Sequence, residues 1–203
     1  MKYIKTYEEK LGDFIHKVKS ARQFALDAHE GQYRRGKDKD GNKLIYFTHP
    51  EKVAKIVHKV KTSRKIADLI AAAYLHDVIE DVPEIDPKTI KKEFGELVYS
   101  LVKELTSDPE ELKKYGKEQY LMNKMLTMSS WGLVIKLADR LHNVSDIPGI
   151  LKSEDKKRIV WAKRYANQTK RIISELENNR ELSATQKRLV KKIEKKIKNA
   201  YSK

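Results

Sequence analysis

The 203-residue sequence predicts an all-α fold with at most one small β-hairpin. Apolar residues recur at spacings of three and four along most of the chain, which is the period of an amphipathic helix. Hydrophobic residues make up 39% and charged residues 36%, the balance expected of helices with one buried stripe and a charged outer face. Short glycine and proline signals separate the periodic segments, as turns between helices do.

Caps and turn residues predict the boundaries of the elements in the first half of the chain. The turn signal Asp40-Gly41 lies in a polar segment, and residues 44–47 have the composition of a short strand in a hairpin. Proline favours the first position of a helix, and glycine favours its end. The predicted boundaries are Gly31 for the end of the first helix, Thr48 or His49 with Pro50 for the start of the second, Ser63 for the third, and Asp86-Pro87 and Gly95 for the fourth.

The second half of the chain also shows the helical period. Residues 107–117 lack an apolar stripe and are predicted to form a loop. The last helix begins with a capping-box pattern at Ser183 and Gln186. The other predicted helices are residues 97–105, residues 118–128, residues 131–146 stopping before Pro148, and a long helix capped by Ser153 and running through Leu176.

The distribution of charge suggests two parts. The formal net charge is +15, and residues 152–203 contain 17 lysines and arginines against 6 acidic residues, which gives +11. We therefore expect a domain over residues 1–150 and a basic helical extension over residues 151–203, either packed on the core or extending from it. A basic face attracts RNA, DNA, acidic membrane or nucleotides without choosing between them, and a solvated lysine face is the plainer interpretation.

The composition also excludes several classes of protein. The sequence has no cysteine, which excludes disulfides, thiolate metal sites and cysteine nucleophiles and fits a reducing cytoplasm. There is no apolar stretch of about 20 residues to span a bilayer, and the N-terminus lacks the apolar core of a signal peptide. The sequence therefore predicts a cytoplasmic location, and any metal site must use histidine and carboxylate ligands, as Mn, Fe, Zn or Mg sites do.

Four titratable residues lie directly behind an apolar run in the stretch AAAYLHDVIEDV. They are His76, Asp77, Glu80 and Asp81. Residues three or four apart share a helix face, so these groups would cluster if the helix continues past Asp77. Such groups at a core edge cost free energy unless a cation or hydrogen bonds compensate them. A metal ion with water is one such partner, and a helix end meeting an acidic loop is the simpler alternative.

A second polar group lies inside an apolar segment. Asp139 lies within the mainly apolar segment 133–141. It shares a helix face with Lys136, Asn143 and Asp146. A carboxylate in that position requires a cation or several hydrogen-bond donors. His29 is expected at a surface or capping position and Trp161 in the core or at its rim, since lone residues of these types are usually structural.

Five segments together resemble a known family. They are FALDAHEGQYRR, YFTHPEKVAKIV, AAAYLHDVIED, FGELVYSLVKELT and VIKLADRLHNVSDI. The order His, His-Asp, Asp is the pattern of the HD phosphohydrolase superfamily. The segments resemble the hydrolase domain of RelA/SpoT-type alarmone enzymes, and most of all the stand-alone small alarmone hydrolases, which lack a synthetase. The resemblance covers about residues 21–147.

The resemblance implies an HD-domain helical bundle that removes the 3′-pyrophosphate of ppGpp or pppGpp, the nucleotides of the stringent response, to give GDP or GTP and pyrophosphate. It assigns these residues: His49, His76, Asp77 and Asp139 as ligands of a metal, usually Mn²⁺; Glu80 and Asp81 as the catalytic pair; Arg35, or else Arg34, together with Tyr46, Lys136 and Asn143 as substrate contacts. The segment between Arg35 and Tyr46 is longer than is common in the family, so Lys37 competes for the substrate role. Val82 stands where the family commonly has threonine.

Other functions are compatible with the same residues. The substrate could be NADPH, whose 2′-phosphate also lies on a ribose, or a 5′-monophosphate, as for general HD nucleotidases. A different class is a nucleic-acid-binding or regulatory module that uses the basic tail. A small nucleotide is the expected partner, and no membrane partner is expected.

Overall fold

The computed structural model describes residues 7–37 and 40–202. Apart from one two-stranded antiparallel hairpin, the regular structure in these residues is helical, which confirms the predicted all-α class. No helix in the described part of the chain is long and apolar enough to cross a bilayer. The elements are α1 (Tyr7–Ala28), β1 (Tyr33–Lys37), β2 (Lys43–Ile45), α2 (Thr48–Val60), α3 (Ile66–Leu75), α4 (Val78–Asp81), α5 (Pro87–Phe94), α6 (Glu96–Leu105), α7 (Pro109–Tyr115), α8 (Lys117–Thr127), α9 (Ser130–Leu151), α10 (Lys156–Asn179) and α11 (Ala184–Tyr201).

The chain forms two compact units, residues 1–106 and residues 107–203. In the first unit α3 is central and packs against α1, α2 and α6. Every residue from Leu69 to Leu75 is buried, as expected for a helix that is apolar on all sides. The ammonium of Lys17 on α1 lies 2.6 Å from the Asp68 carboxylate on α3 and ties these two helices together.

The hairpin leads directly into α2. The backbone N–H of Tyr46 donates to the Gln32 carbonyl at 2.9 Å, which closes the hairpin at its base. Helix α2 begins at Thr48, two residues before Pro50, and its N-cap Phe47 makes no side-chain capping bond. The predicted cap at Thr48 or His49 is therefore wrong. The Thr48 hydroxyl instead donates back to the Ile45 carbonyl at 2.8 Å and stabilises the turn.

The helical path breaks at His76 and Asp77. Helix α3 ends at Leu75, and α4 is a separate four-residue turn with Asp77 as its N-cap. The condition for one shared helix face, a helix that continues past Asp77, is therefore not met. The His76 imidazole Nδ1 lies 2.8 Å from the Ala73 carbonyl. A side chain thus provides the hydrogen-bond partner for a carbonyl at the end of α3. The break places His76 and Asp77 at a junction between helices.

The second unit is built around α9. Helices α10 and α11 both pack against α9, and α10 also packs against α8. The basic last two helices thus pack on this unit's core. The Arg140 side chain on α9 is buried and its Nη1 donates to the Thr169 hydroxyl on α10 at 2.8 Å. The division at residue 150 into a hydrolase domain and an extension stays a prediction.

Helix α7 lies where the sequence predicted a loop. The Asp108 carboxylate accepts from the backbone N–H groups of Glu110 and Glu111, and Pro109 occupies the first turn. Gly116 follows with a φ of 74°, a conformation that favours glycine. None of the residues of α7 is buried. The capping residues at its two ends therefore define this helix. The prediction of a loop was wrong because it relied on the absence of an apolar stripe.

Helix α9 continues past the predicted stop at Pro148. It runs to Leu151 with the proline inside it. Ile147 and Ile150, on either side of Pro148, are buried, so packing offsets the hydrogen bond that the proline cannot make. Helix α10 is capped by Asp155, whose carboxylate accepts from the Arg158 N–H at 3.0 Å, and the predicted cap at Ser153 is wrong.

The capping box of α11 is confirmed. The backbone N–H of Ser183 donates to Gln186 Oε1 at 2.8 Å, and the Gln186 N–H donates to the Ser183 hydroxyl. We expect Ser183→Ala to lower the free energy of unfolding by about 1 kcal/mol, because it leaves a helix N–H without its partner. Urea denaturation measures this change. Ser174→Ala, at an exposed position inside α10, should change stability by less than about 0.5 kcal/mol, and equal effects of both substitutions would contradict the assignment.

Candidate metal and catalytic site

Two histidines and one aspartate meet in the first unit. His49 comes from the first turn of α2, and His76 and Asp77 come from the junction after α3. The Nε2 atom of His49 lies 3.5 Å from Asp77 Oδ2, and the Nε2 atom of His76 lies 3.2 Å from Asp77 Oδ1. Both imidazoles are buried, at 5% and 2% exposure. The fold thus brings together three of the predicted metal ligands, with both carboxylate oxygens facing imidazole nitrogens.

The tautomer of His76 follows from its backbone contact. A carbonyl can only accept a hydrogen bond, so the His76 Nδ1 that lies 2.8 Å from the Ala73 carbonyl carries the proton. In the neutral ring Nε2 then has a lone pair directed to the cluster. Metal-binding histidines are commonly oriented by such a contact to their other nitrogen. His49 and His76 also offer ring nitrogens within 4.8 Å of one another, so this cluster fits a divalent cation.

Glu80 and Asp81 lie on the short helix α4, three and four residues after Asp77. Both residues are exposed as a whole, so they can reach solvent and a bound molecule, although the Asp81 carboxyl itself is partly covered. Partial burial of the carboxyl is the main cause that raises the pKa of Asp81 above its ordinary 3.8, and the neighbouring Asp77 and Glu80 charges add to it. Hydrogen bonding to Tyr46 and the charge of His29 act in the opposite direction. Asp81 is thus held in surroundings that disfavour its charged form.

A raised carboxyl pKa makes stability depend on pH. The folded chain binds this proton more tightly than the unfolded chain, so stability falls as pH rises from 3.8 through the raised pKa. We expect Asp81→Asn to stabilise the metal-free protein at neutral pH, with the gain shrinking as pH falls to about 4. Urea denaturation at several pH values measures it. The exposed Glu84→Gln is the control, and an Asp81→Asn effect that did not vary with pH would contradict the assignment.

Tyr46 belongs to the same cluster. Its hydroxyl donates to Asp77 Oδ2 at 2.8 Å and also faces the Asp81 carboxyl. Burial first, and the Asp77 and Asp81 charges second, raise the pKa of Tyr46 far above its usual range, so the hydroxyl keeps its proton. Tyr46 therefore orients Asp77 as a hydrogen-bond donor. Its predicted contact with a nucleoside stays a prediction.

In the second unit, Asp139 is held by two neighbours on the same helix. The Lys136 ammonium lies 3.2 Å from Asp139 Oδ2, and the Asn143 amide donates to Oδ1 at 2.7 Å. Asp139 is 7% exposed. A carboxylate in the interior needs such partners, and Asp139 has both a cation and an amide donor. The predicted face of Lys136, Asp139 and Asn143 is present on α9.

The second unit also contains a cavity of about 680 Å³. Asn143 lines it together with Trp161 and Tyr165 of α10, whose rings stack with centroids 5.2 Å apart, and with Arg164. Trp161 is 43% exposed and lines this cavity. The expected position in the core or at its rim is therefore wrong. Aromatic rings beside a cation and an amide suit a planar, negatively charged ligand. The spacing of four between Trp161 and Tyr165 is the one signal in the sequence for this pair.

The predicted substrate arginines lie on β1. Arg34 is half-buried and Arg35 exposed, since neighbouring strand residues point to opposite faces. Gly36, with a φ of 117°, follows them at the irregular part of the hairpin. The side chain of Lys37 lies outside the described residues. The substrate role of these three residues stays a prediction.

The sequence missed the role of His29. Its imidazole is 3% exposed, so the expected surface position is wrong. The ring lies against Tyr46 with centroids 4.7 Å apart, and Nδ1 lies 2.9 Å from Gln32 Oε1. The Gln32 amide in turn donates to the Asp81 carbonyl at 3.2 Å. His29 and Gln32 thus reach the helix that carries the two exposed carboxylates.

Known proteins are similar to this chain in sequence and fold. The family model HD_4, an HD domain, matches residues 21–182. MESH1 of Xenopus tropicalis, a guanosine-3′,5′-bis(diphosphate) 3′-pyrophosphohydrolase, is 32% identical over 130 residues, which cover 64% of this chain and 69% of MESH1. The bifunctional (p)ppGpp synthase/hydrolase SpoT of Escherichia coli K12 is 34% identical over 153 residues, 72% of this chain but 20% of SpoT.

A solved structure supports the same relationship. It is a metazoan ortholog of SpoT, which hydrolyses ppGpp and plays a role in starvation responses. The match has a TM-score of 0.70 and 26% identity, and it covers 91% of this chain and 96% of that chain. The resemblance seen in the sequence is thereby confirmed. The chain belongs to the HD domain family and, within it, to the group of (p)ppGpp hydrolases that includes MESH1.

Proposed function

We propose that this protein is a metal-dependent phosphohydrolase that cleaves the 3′-pyrophosphate of ppGpp and pppGpp. The observation that carries the proposal is the cluster of the buried His49 and His76 imidazoles with the half-buried Asp77 carboxylate, beside the exposed Glu80 and Asp81. In the reaction, water adds to the phosphorus that is bonded to the ribose 3′-oxygen. That oxygen leaves with a proton as the 3′-hydroxyl, so the products are GDP or GTP and pyrophosphate.

The metal ligands in this proposal are His49, His76, Asp77 and Asp139. HD-domain hydrolases depend on divalent metals, and the specific ion proposed is Mn²⁺, which two imidazoles and two carboxylates suit. When bound, such a cation makes water more acidic and offsets negative charge on phosphate. The Asp77 carboxylate and the His76 Nε2 lone pair are already oriented by Tyr46 and by the Ala73 carbonyl. Asp139 is proposed to complete the set from α9.

The proton is handled by the two exposed carboxylates. We assign Glu80 as the base that accepts the proton of the attacking water, because it is a carboxylate open to solvent beside the cluster. Asp81, whose pKa is raised, suits a group that passes a proton onward, because a raised pKa lets a carboxyl hold one transiently. The Tyr46 hydroxyl, which keeps its own proton, holds Asp77 in place while this occurs.

The cavity in the second unit is proposed to take the guanosine. The stacked pair of Trp161 and Tyr165 offers an aromatic surface for a purine, and Asn143 and Arg164 offer donors beside it. The ligand carries many negative charges, and the chain's net charge of +15 attracts it. A cytoplasmic location is part of the proposal, because ppGpp is an intracellular nucleotide and the sequence has no cysteine.

A substrate panel tests the proposal. The metal-free protein is given Mn²⁺ and then ppGpp, NADPH, GMP or RNA, and products are separated by anion-exchange chromatography and by phosphorus NMR. The expected result is GDP and pyrophosphate in equal amounts from ppGpp, and none without metal. Orthophosphate from NADPH or GMP, with ppGpp untouched, would replace the proposed substrate. RNA binding without any hydrolysis would contradict the enzyme assignment.

A further inference from the structure

Helix α4 is too short to be stable without contacts from the rest of the fold. It has four residues, and its local hydrogen bonds run from the N–H groups of Glu80 and Asp81 to the Asp77 carbonyl and from Val82 to Val78. A helix much shorter than about 12 residues is marginal in water without outside contacts. The orientation of the two carboxylates on α4 therefore depends on what contacts the helix from elsewhere in the fold.

One outside contact is made by a side chain from the base of the hairpin. The Gln32 amide donates to the main-chain carbonyl of Asp81 at 3.2 Å. This carbonyl lies at the end of the helix, where carbonyl groups have no partner within the helix. Gln32 is itself fixed at both backbone groups, because its N–H donates to the His29 carbonyl and its carbonyl accepts from Tyr46.

His29 fixes the direction of the Gln32 amide. Since the Asp81 carbonyl can only accept, the amide nitrogen of Gln32 must face it, and Oε1 must face His29. The His29 Nδ1, 2.9 Å from that oxygen, therefore carries a proton. The other ring nitrogen of His29 is buried with no hydrogen-bond partner among the described residues. A buried polar atom of this kind is costly, and the hydrogen bond of the ring to Gln32 runs through Nδ1.

We propose that His29 and Gln32 are positioning residues that hold α4, and with it the Glu80 and Asp81 carboxylates, for the reaction. The chain of contacts runs from His29 through the Gln32 amide to the Asp81 carbonyl, while the His29 ring packs on Tyr46, which orients Asp77. This inference rests on the proposed function for its catalytic consequence. Its structural consequence, a clamped α4, is independent of the substrate.

Kinetics of four variants test the catalytic consequence. Gln32→Met removes the amide, and Gln32→Glu keeps an acceptor for His29 but loses the donor to the Asp81 carbonyl. Both should lower kcat for ppGpp by about 10-fold or more, since small displacements of catalytic groups are costly. The KM and the Kd for Mn²⁺ should stay within about threefold. His29→Leu should behave like Gln32→Met, whereas His29→Asn, which keeps a donor near Nδ1, should recover most of kcat.

The matched control is Gln23→Met on α1. Gln23 is an exposed glutamine whose amide donates to the Asp27 carboxylate one turn away, and its loss should leave kcat unchanged. Equal losses in the control, or parallel losses in kcat, KM and metal affinity, would mean general destabilisation and would overturn the inference. So would a Gln32→Met or Gln32→Glu variant with the kcat of the wild type.

Hydrogen exchange of the metal-free protein tests the clamp without any substrate. The amides of Glu80, Asp81 and Val82 should exchange about 10-fold faster in Gln32→Met and Gln32→Glu than in the wild type or in Gln23→Met, because local opening of α4 becomes easier. Unchanged exchange would overturn the inference. A wild-type protein that left ppGpp intact would contradict the proposed function, and the exchange result would still decide whether Gln32 clamps α4.

Discussion

Glu80→Gln is expected to lower kcat for ppGpp by about 10²- to 10⁴-fold while the affinity for Mn²⁺ stays at the wild-type value. The substitution keeps the size and exposure of the side chain and removes its capacity to accept a proton. Glu80 lies on α4, outside the group of His49, His76 and Asp77, so the proposed metal ligands remain intact. Steady-state hydrolysis and isothermal titration with Mn²⁺ measure the two quantities.

Glu84→Gln is the control for this prediction. Glu84 is an exposed carboxylate just past the end of α4, and its replacement changes the local charge by the same amount. It should leave kcat within about twofold of the wild type, because charge changes at exposed sites have small effects. Hydrolysis at the normal rate by Glu80→Gln would show that another group accepts the proton. Loss of Mn²⁺ binding in that variant would make Glu80 a ligand.

Asp139→Ala is expected to lose metal and activity together. Mn²⁺ affinity should fall by at least about 100-fold, because loss of groups that merely orient ligands already costs 10- to 100-fold. Removing the carboxylate also takes away the negative charge that lies 3.2 Å from the Lys136 ammonium, whose side chain is 15% exposed. That cation would then repel a metal ion near it. Metal titration, with hydrolysis assayed at saturating Mn²⁺, checks both effects.

A second variant that also loses one carboxylate distinguishes loss of a metal ligand from a change in the net charge of the protein. Asp13→Asn, at an exposed position on α1, should bind Mn²⁺ and hydrolyse ppGpp as the wild type does. Thermal unfolding of both variants shows whether the fold survives. Asp139→Ala with normal Mn²⁺ affinity and a normal fold would remove Asp139 from the ligand set.

Helices were predicted correctly where the capping residues and the apolar periodicity indicate the same boundaries. Helix α5 has Asp86-Pro87 at its start and Gly95 after its end, and α11 has a capping box and buried Leu189 and Ile193, so end signals and apolar period coincide. Helix α7 has end signals without a buried stripe and was predicted as a loop. Helix α9 passes Pro148 because buried isoleucines on both sides outweigh a local breaking signal.

Among the candidate ligands, His76 and Asp77 could be singled out because their chemistry is unusual for their position, whereas His49 was singled out only by the resemblance to HD phosphohydrolases. Histidine and aspartate beside a buried apolar run need compensation, and His49, His76 and Asp77 do come together. The supporting contacts were not predictable, because they join residues far apart in sequence. Gln32 reaches the Asp81 carbonyl across 49 positions, and no local pattern marks a glutamine for that contact. Trp161 at a cavity likewise has the same helical spacing that a core residue would have.

We propose that one divalent cation is bound by two imidazoles and two carboxylates that are distant in sequence. The most direct measurement is a crystal structure of the protein grown with Mn²⁺ and recorded above and below the manganese absorption edge. We expect a single anomalous peak within bonding distance of His49, His76, Asp77 and Asp139. A peak that contacts other residues, or no peak at this cluster in crystals of active protein, would contradict it.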